Sequence, residues 1–180
     1  KELNEKEEFC RNIEIAGILH DIGKLKLMKY LYSQDGLIVE QMKYVRQHTA
    51  QSYEMMRDAG YDEILANAVF HHHENFDGSG YPDNLRGEDI PYMARILRVC
   101  DVFIALTSKR VYRNAFDPKS ALEIMIDEVG DYDMHVFLAF QRVVHRDVFQ
   151  EGIASLKEIR DERQLEPLKL FVKEMQHTGN

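Results

Sequence analysis

Cysteine is scarce, basic residues are outnumbered, and no long apolar run interrupts the chain. Two cysteines in 180 residues, Cys10 and Cys100, cannot form a disulfide framework, and eight methionines suit a reducing interior. No apolar stretch approaches the roughly 20 residues of a membrane span, and no signal-like segment precedes the first helical pattern. Lys and Arg number 23 against 31 Asp and Glu, a formal net charge of −8. That balance argues against a general nucleic-acid or anionic-membrane surface, because phosphate contacts need clustered cations. It leaves room for a small phosphorylated ligand held by a few local positive charges. Convincing strands, internal repeats and low-complexity segments are absent too. These exclusions read as a cytoplasmic protein with no nucleic-acid and no membrane partner. The first residue is Lys rather than Met, as in a piece of a longer protein.

What is present is helical. Residues 5–20 carry Phe9, Ile13, Ala16 and His20 at helical spacing, which delivers His20 onto a buried face. Gly23 then breaks the helix and turns Lys24 toward the same place. Residues 25–37 have an irregular pattern ending in the turn-like Gln34-Asp35-Gly36. A second helix, about 38–58, aligns Met42, Val45, Thr49, Ser52 and Met56 on one side, with His48 facing inward. Gly60 ends it, and Asp62 caps the next, which runs into His71, His72 and His73. A fourth helix spans about 91–107 and buries Asp101 among Val99, Val102 and Phe103. Asp117-Pro118 opens another helix that Gly130 closes. Apolar repeats over 133–150 and 151–176 complete an all-α, single-domain bundle of about seven helices. The domain is read as 1–180, with a motif core of about 10–145 and C-terminal helices over 133–177.

Three consecutive histidines beside Glu74 are costly to pack unless they bind something. Adjacent helical residues diverge by about 100°, so His72 and His73 are read as addressing two neighbouring ions with a carboxylate bridging. The candidate ligands are His20, Asp21, His48, His72, His73 and Asp101, all at helix ends or on buried faces. Imidazole and carboxylate without thiolate suit iron, manganese, zinc or nickel. Two ions roughly 3.5–4 Å apart activate a water and clamp a phosphoryl oxygen. Asp21, with two oxygens to share, takes the bridge, while Lys24, Arg110 and Arg113 neutralise phosphate oxygens. Six ligating side chains suffice for two ions with open positions, and no third ion is expected. His71 is read as packing or facing solvent, and Glu74 and Asp77 as groups that hold the loop or orient ligands. His135, His145 and His177 carry no signal, and Cys100 reads as a small core residue.

These residues resemble the HD-GYP domains of bacterial signalling proteins, within the HD superfamily. His20-Asp21-Ile22-Gly23-Lys24 looks like that family's HDIGK motif. His72-His73-Glu74, Asp77-Gly78 and Gly80-Tyr81-Pro82 match its HHE…DGxGYP signature. Ala94-Arg95-Ile96, Asp101, Ala105 to Ser108, Arg110 and Tyr112-Arg113 match its later run. The resemblance implies hydrolysis of cyclic di-GMP to pGpG and onward to GMP, with Asp21 and Lys24 serving catalysis. It implies that Lys24, Arg110 and Arg113 contact substrate phosphates and that Gly80, Tyr81 and Pro82 shape a guanine pocket. A homodimer, or attachment to an upstream sensory or receiver domain, belongs to the same expectation. Two other readings are carried beside it: hydrolysis of another cyclic nucleotide, and a module that binds ligand or partner without turnover. Three positions depart from the family pattern. No His stands upstream of His20, Ile104 replaces a common Asp, and the segment after Lys24 lacks the usual Ile-Pro-Asp turn.

Overall fold

The computed structural model describes residues 6–31, 45–109, 114–147, 149, 151 and 152, with side chains from 28 to 31 left out. Arg110, Tyr112, Arg113, the expected turn at 34–36, residues 38–44 of the expected second helix and residues 153–176 of the expected last one lie outside the described residues. The chain divides into two compact units, residues 1–141 and 142–180. Every described side chain of the site belongs to the first.

The described helices are α1 (Glu7–Leu19), α2 (Lys24–Leu31), α3 (His48–Asp58), α4 (Glu63–Phe70), α5 (Tyr92–Thr107), α6 (Pro118–Asp127) and α7 (Met134–Val144). Short 3-10 turns occupy Gly87–Asp89 and Val129–Asp131, and there is no strand among the described residues. No described helix is long and apolar enough to cross a membrane.

One correction concerns α2, because the sequence pattern reads as irregular from residue 25. The run Lys-Leu-Lys-Leu alternates with a period of two and gives no helical stripe, yet every residue in it is a good helix former. Leu27 is buried, and α2 packs on α3, which is enough to anchor the segment.

The core that positions the site is small and built by α1, α3, α4 and α5. Ala16, Met56, Leu65, Ala66, Ala68, Val69, Met93 and Leu97 are buried together, with Phe9, Ile13 and Leu19 packed against them. Ile18, on the other side of α1, is 80% exposed, so the helix is one-faced as its periodicity predicts. Asp62 caps α4 by accepting from the Ile64 N–H at 2.7 Å. Asp117 caps α6 through Lys119 N–H at 3.0 Å and Ser120 N–H at 3.1 Å. Asp133 begins α7 by accepting from the His135 N–H at 2.8 Å, and its second oxygen takes Arg95 of α5, also at 2.8 Å.

Candidate metal centre

Helix α4 ends at Phe70, and residues 71–73 form a turn rather than a last helical turn. The 100° divergence argued from helix geometry therefore does not apply to His72 and His73. Their rings stand 4.0 Å apart, centroid to centroid. Ligand atoms of Asp21, His48, His72 and His73 all lie within 4.8 Å of one another.

His20 and Asp101 close on this group from α1 and α5. His20 Nε2 is 3.3 Å from Asp21 Oδ2 and 3.6 Å from Asp101 Oδ1. His48 Nε2 is 3.3 Å from Asp21 Oδ1, and His73 Nδ1 is 3.9 Å from Asp101 Oδ2. Each carboxylate thus presents its two oxygens to two different histidines. The six residues come from the end of α1, the start of α3, the turn after α4 and the middle of α5.

Backbone carbonyls set the direction of the imidazoles. A carbonyl only accepts, so the ring nitrogen that meets it carries the proton. His20 Nδ1 donates to Gly17 at 2.8 Å, His48 Nδ1 to Val45 and His72 Nδ1 to Val69. Each contact reaches back three residues and aims Nε2 inward, which is how ligating histidines are usually held.

Burial keeps His48 and His72 neutral. It lowers His48 below the ordinary imidazole value and takes His72 down to about 4, outweighing their carbonyl contacts. His73 is lowered too, first by burial and then by His72. The Nε2 atoms of His48 and His72 consequently face each other as bare lone pairs 3.4 Å apart. Beside them Asp21 Oδ1 is buried without a hydrogen-bond donor. Lone pairs and a carboxylate oxygen converging without a proton are the arrangement a cation satisfies, so the donor set fits a divalent metal.

His20 differs from its neighbours. Burial works to lower it, but the carboxylates of Asp101 and Asp21 prevail and push it up to about 10. Burial likewise works to raise Asp21, yet His20 and then Lys24 hold its carboxyl far below the usual range. Asp101 is held down by His20 and His73 against the same effect. Lys24 Nζ sits 2.5 Å from Asp21 Oδ2 and is already engaged in an ion pair.

The glycine-tyrosine-proline loop folds against the cluster. Tyr81 stacks on His73 with centroids 4.8 Å apart, and burial pushes its phenol up to about 12. A Cβ on Gly80 would run into the backbone of Glu74 and Asn75. Glu74 is buried and accepts the Asp83 N–H at 2.7 Å. His71, which is buried, lies 3.7 Å from the same carboxylate. Asp77 is exposed and accepts the Ser79 N–H at 2.8 Å, so it shapes the loop and meets no ligand of the cluster.

The sequence reading places Ser52 only on the inner side of its helix and passes over Arg46. Ser52, buried on α3, accepts the Gly23 N–H at 2.8 Å and donates to the His20 carbonyl at 2.9 Å. It ties the His20-Asp21 turn to the helix that starts with His48, and a Cβ on Gly23 would clash with that helix. Arg46 lays its guanidinium 4.8 Å from the Tyr81 ring centroid.

Comparison with known proteins agrees with this geometry. The sequence matches the HD domain family over residues 1–136. It is 33% identical over 146 residues to a cyclic di-GMP phosphodiesterase of Pseudomonas aeruginosa, covering 80% of this chain and 35% of that protein. It is 38% identical over 133 residues to the cyclic di-GMP phosphodiesterase response regulator RpfG of Xanthomonas campestris, covering 72% and 35%. The chain thus spans about a third of the length of these relatives. A cyclic GMP-AMP specific phosphodiesterase of Vibrio cholerae shares the fold, with a TM-score of 0.63 at 17% identity, over 84% of this chain and 42% of that one. The chain belongs to the HD domain family and carries the HD-GYP signature within it.

Proposed function

We propose that this chain holds two divalent transition metal ions, iron or manganese first and nickel or zinc otherwise, and hydrolyses cyclic di-GMP to pGpG and then GMP. The observation that carries this reading is the convergence of His48 Nε2 and His72 Nε2, 3.4 Å apart, beside the orphaned Asp21 Oδ1. His20, Asp21, His48, His72, His73 and Asp101 would hold the ions. Asp21 would serve both ions, since its Oδ1 faces His48 and its Oδ2 faces His20. Bound ions supply the acidity that makes water a nucleophile at neutral pH and the charge that neutralises phosphoryl oxygens.

The remaining steps fall to the chain's own side chains. Lys24 is positioned at the cluster and leaves Asp21 for a phosphate oxygen when substrate enters. Tyr81 keeps its proton at neutral pH and remains a donor. Gly80, Tyr81 and Pro82 form the wall against which a base is held, and Arg110 and Arg113 add positive charge toward the phosphates. Glu74 and Asp77 keep that wall in place. Cyclic dinucleotide hydrolysis by the relatives supports this substrate class, and free Cys10 and Cys100 agree with a cytoplasmic setting.

The test is metal analysis of protein purified without chelator, followed by incubation with cyclic di-GMP and chromatography of the products. Two transition ions per chain and release of pGpG, both lost on chelation, are the expected results. Turnover of 3′3′-cGAMP in place of cyclic di-GMP would keep the chemistry and change the substrate. Binding of cyclic di-GMP by a protein that takes up no metal would make the chain a ligand-binding module.

A further inference from the structure

Arg46 stands two residues before His48, immediately ahead of α3. Its side chain is exposed, and no carboxylate pairs with it among the described residues. Thr49 Oγ1 donates to its backbone carbonyl at 3.2 Å, which anchors the main chain of Arg46 to α3. That guanidinium lies over Tyr81 at 4.8 Å, and Tyr81 in turn stacks on His73 with centroids 4.8 Å apart. A cation over an exposed aromatic ring is commonly no more than a weak surface contact. Here the ring belongs to the loop that walls the cluster, and its other ring contact is to a candidate metal ligand.

We infer that Arg46 is a substrate-binding residue of this site, contacting a phosphate oxygen of a bound cyclic dinucleotide from the Tyr81 side of the cluster. The inference rests on the phosphodiesterase reading above. Among the described residues no acceptor meets the guanidinium N–H groups, and a guanidinium offers a phosphate a planar fork of donors that an ammonium cannot reproduce. Lys24 is committed to Asp21 in the absence of substrate, whereas Arg46 needs no ion pair broken before it binds. Arg46, just ahead of α3, and His48, its first residue, therefore bring an anion contact and a candidate metal ligand into the site from nearby positions of the chain.

The full chain, loaded with manganese, should be compared with Arg46→Ala and Arg46→Lys. Metal content, KM and kcat for cyclic di-GMP, the calorimetric Kd of cyclic di-GMP, and turnover of bis(p-nitrophenyl) phosphate would be measured. Arg46→Ala is expected to raise KM and Kd about tenfold or more, the loss of one charge-assisted bond pair. Metal content stays level, kcat falls less than about threefold, and Arg46→Lys recovers only part of the loss. Equal KM and Kd in wild type and Arg46→Ala overturns the inference while leaving the phosphodiesterase reading intact. Wild-type protein that binds cyclic di-GMP without hydrolysing either substrate removes that reading, and a weaker Kd for Arg46→Ala then still upholds the binding role. Wild-type protein that neither binds nor hydrolyses cyclic di-GMP removes both.

Discussion

Asp21 is the residue on which the site is most dependent. Its oxygens face His48 on one side and His20 with Lys24 on the other. On the proposed two-metal reading, Asp21→Ala should empty the site of both ions together rather than of one, and elemental analysis of the purified variant reads the count directly. Asp77→Ala, which removes only loop hydrogen bonds from Ser79, should keep the wild-type metal content. A full metal complement in Asp21→Ala would remove it as the bridge. His20, Asp21, His72, His73 and Asp101 were legible as candidate ligands because each lies in a short motif whose residue types suit a hard or borderline cation, and His48 because helical spacing turns it inward. The roles of Ser52 and Arg46 were not legible, for a physical reason. Ser52 acts on Gly23 and His20, which are 29 and 32 residues away in sequence. Arg46 acts on Tyr81. Neither has a local pattern, and only the packed helices bring the partners together.

Among the elements, caps and periodicity were the readable signals. Asp62 and Asp117 start α4 and α6 where sequence places them. Hydrogen bonds from Ser120, first its hydroxyl and then its backbone N–H, hold the Asp117 carboxyl below the usual range. A depressed folded value means stabilisation that is complete above the unfolded value of about 3.9 and disappears as pH falls through the folded one. The melting temperature of Asp117→Ala should accordingly lie below wild type by a constant amount above about pH 5, and the gap should narrow below about pH 4. Thermal melts across that range check it. Helix ends and short helices were harder to read. The end of α4 at Phe70 is decided by the turn that the three histidines make into the loop, and α2 is held by the burial of Leu27. Both depend on neighbours that sequence spacing does not contain.

At the scale of the molecule, an all-α class followed from helical periodicity, with only the four residues Lys24 to Leu27 alternating, and the described residues contain helices and no strand. The site gathers α1, α3, the turn after α4, and α5, so a bound metal would hold four parts of the first unit at once. Removing it should lower thermal stability as well as activity. At a free metal concentration a hundredfold above Kd, binding contributes about 2.7 kcal/mol. That corresponds to roughly 5–10 °C in melting temperature for a chain of this size. Scanning calorimetry with and without chelator measures the difference, and an unchanged transition would mean that the cluster holds no ion.

The loop after the histidines has a consequence of its own. Residues 74–87 contain little regular structure, yet Phe76 N–H meets the Asp131 carbonyl at 2.9 Å and Gly87 N–H meets the Phe76 carbonyl at 2.9 Å. Arg98 reaches Asn75 at 2.9 Å, and Asn75 reaches Ser79 at 2.8 Å. Fixing a free backbone costs about 1–2 kcal/mol per residue in conformational entropy. In this loop those hydrogen bonds form when the chain folds, so a substrate meeting Tyr81 as proposed would find the wall already ordered and lose little affinity to arranging it.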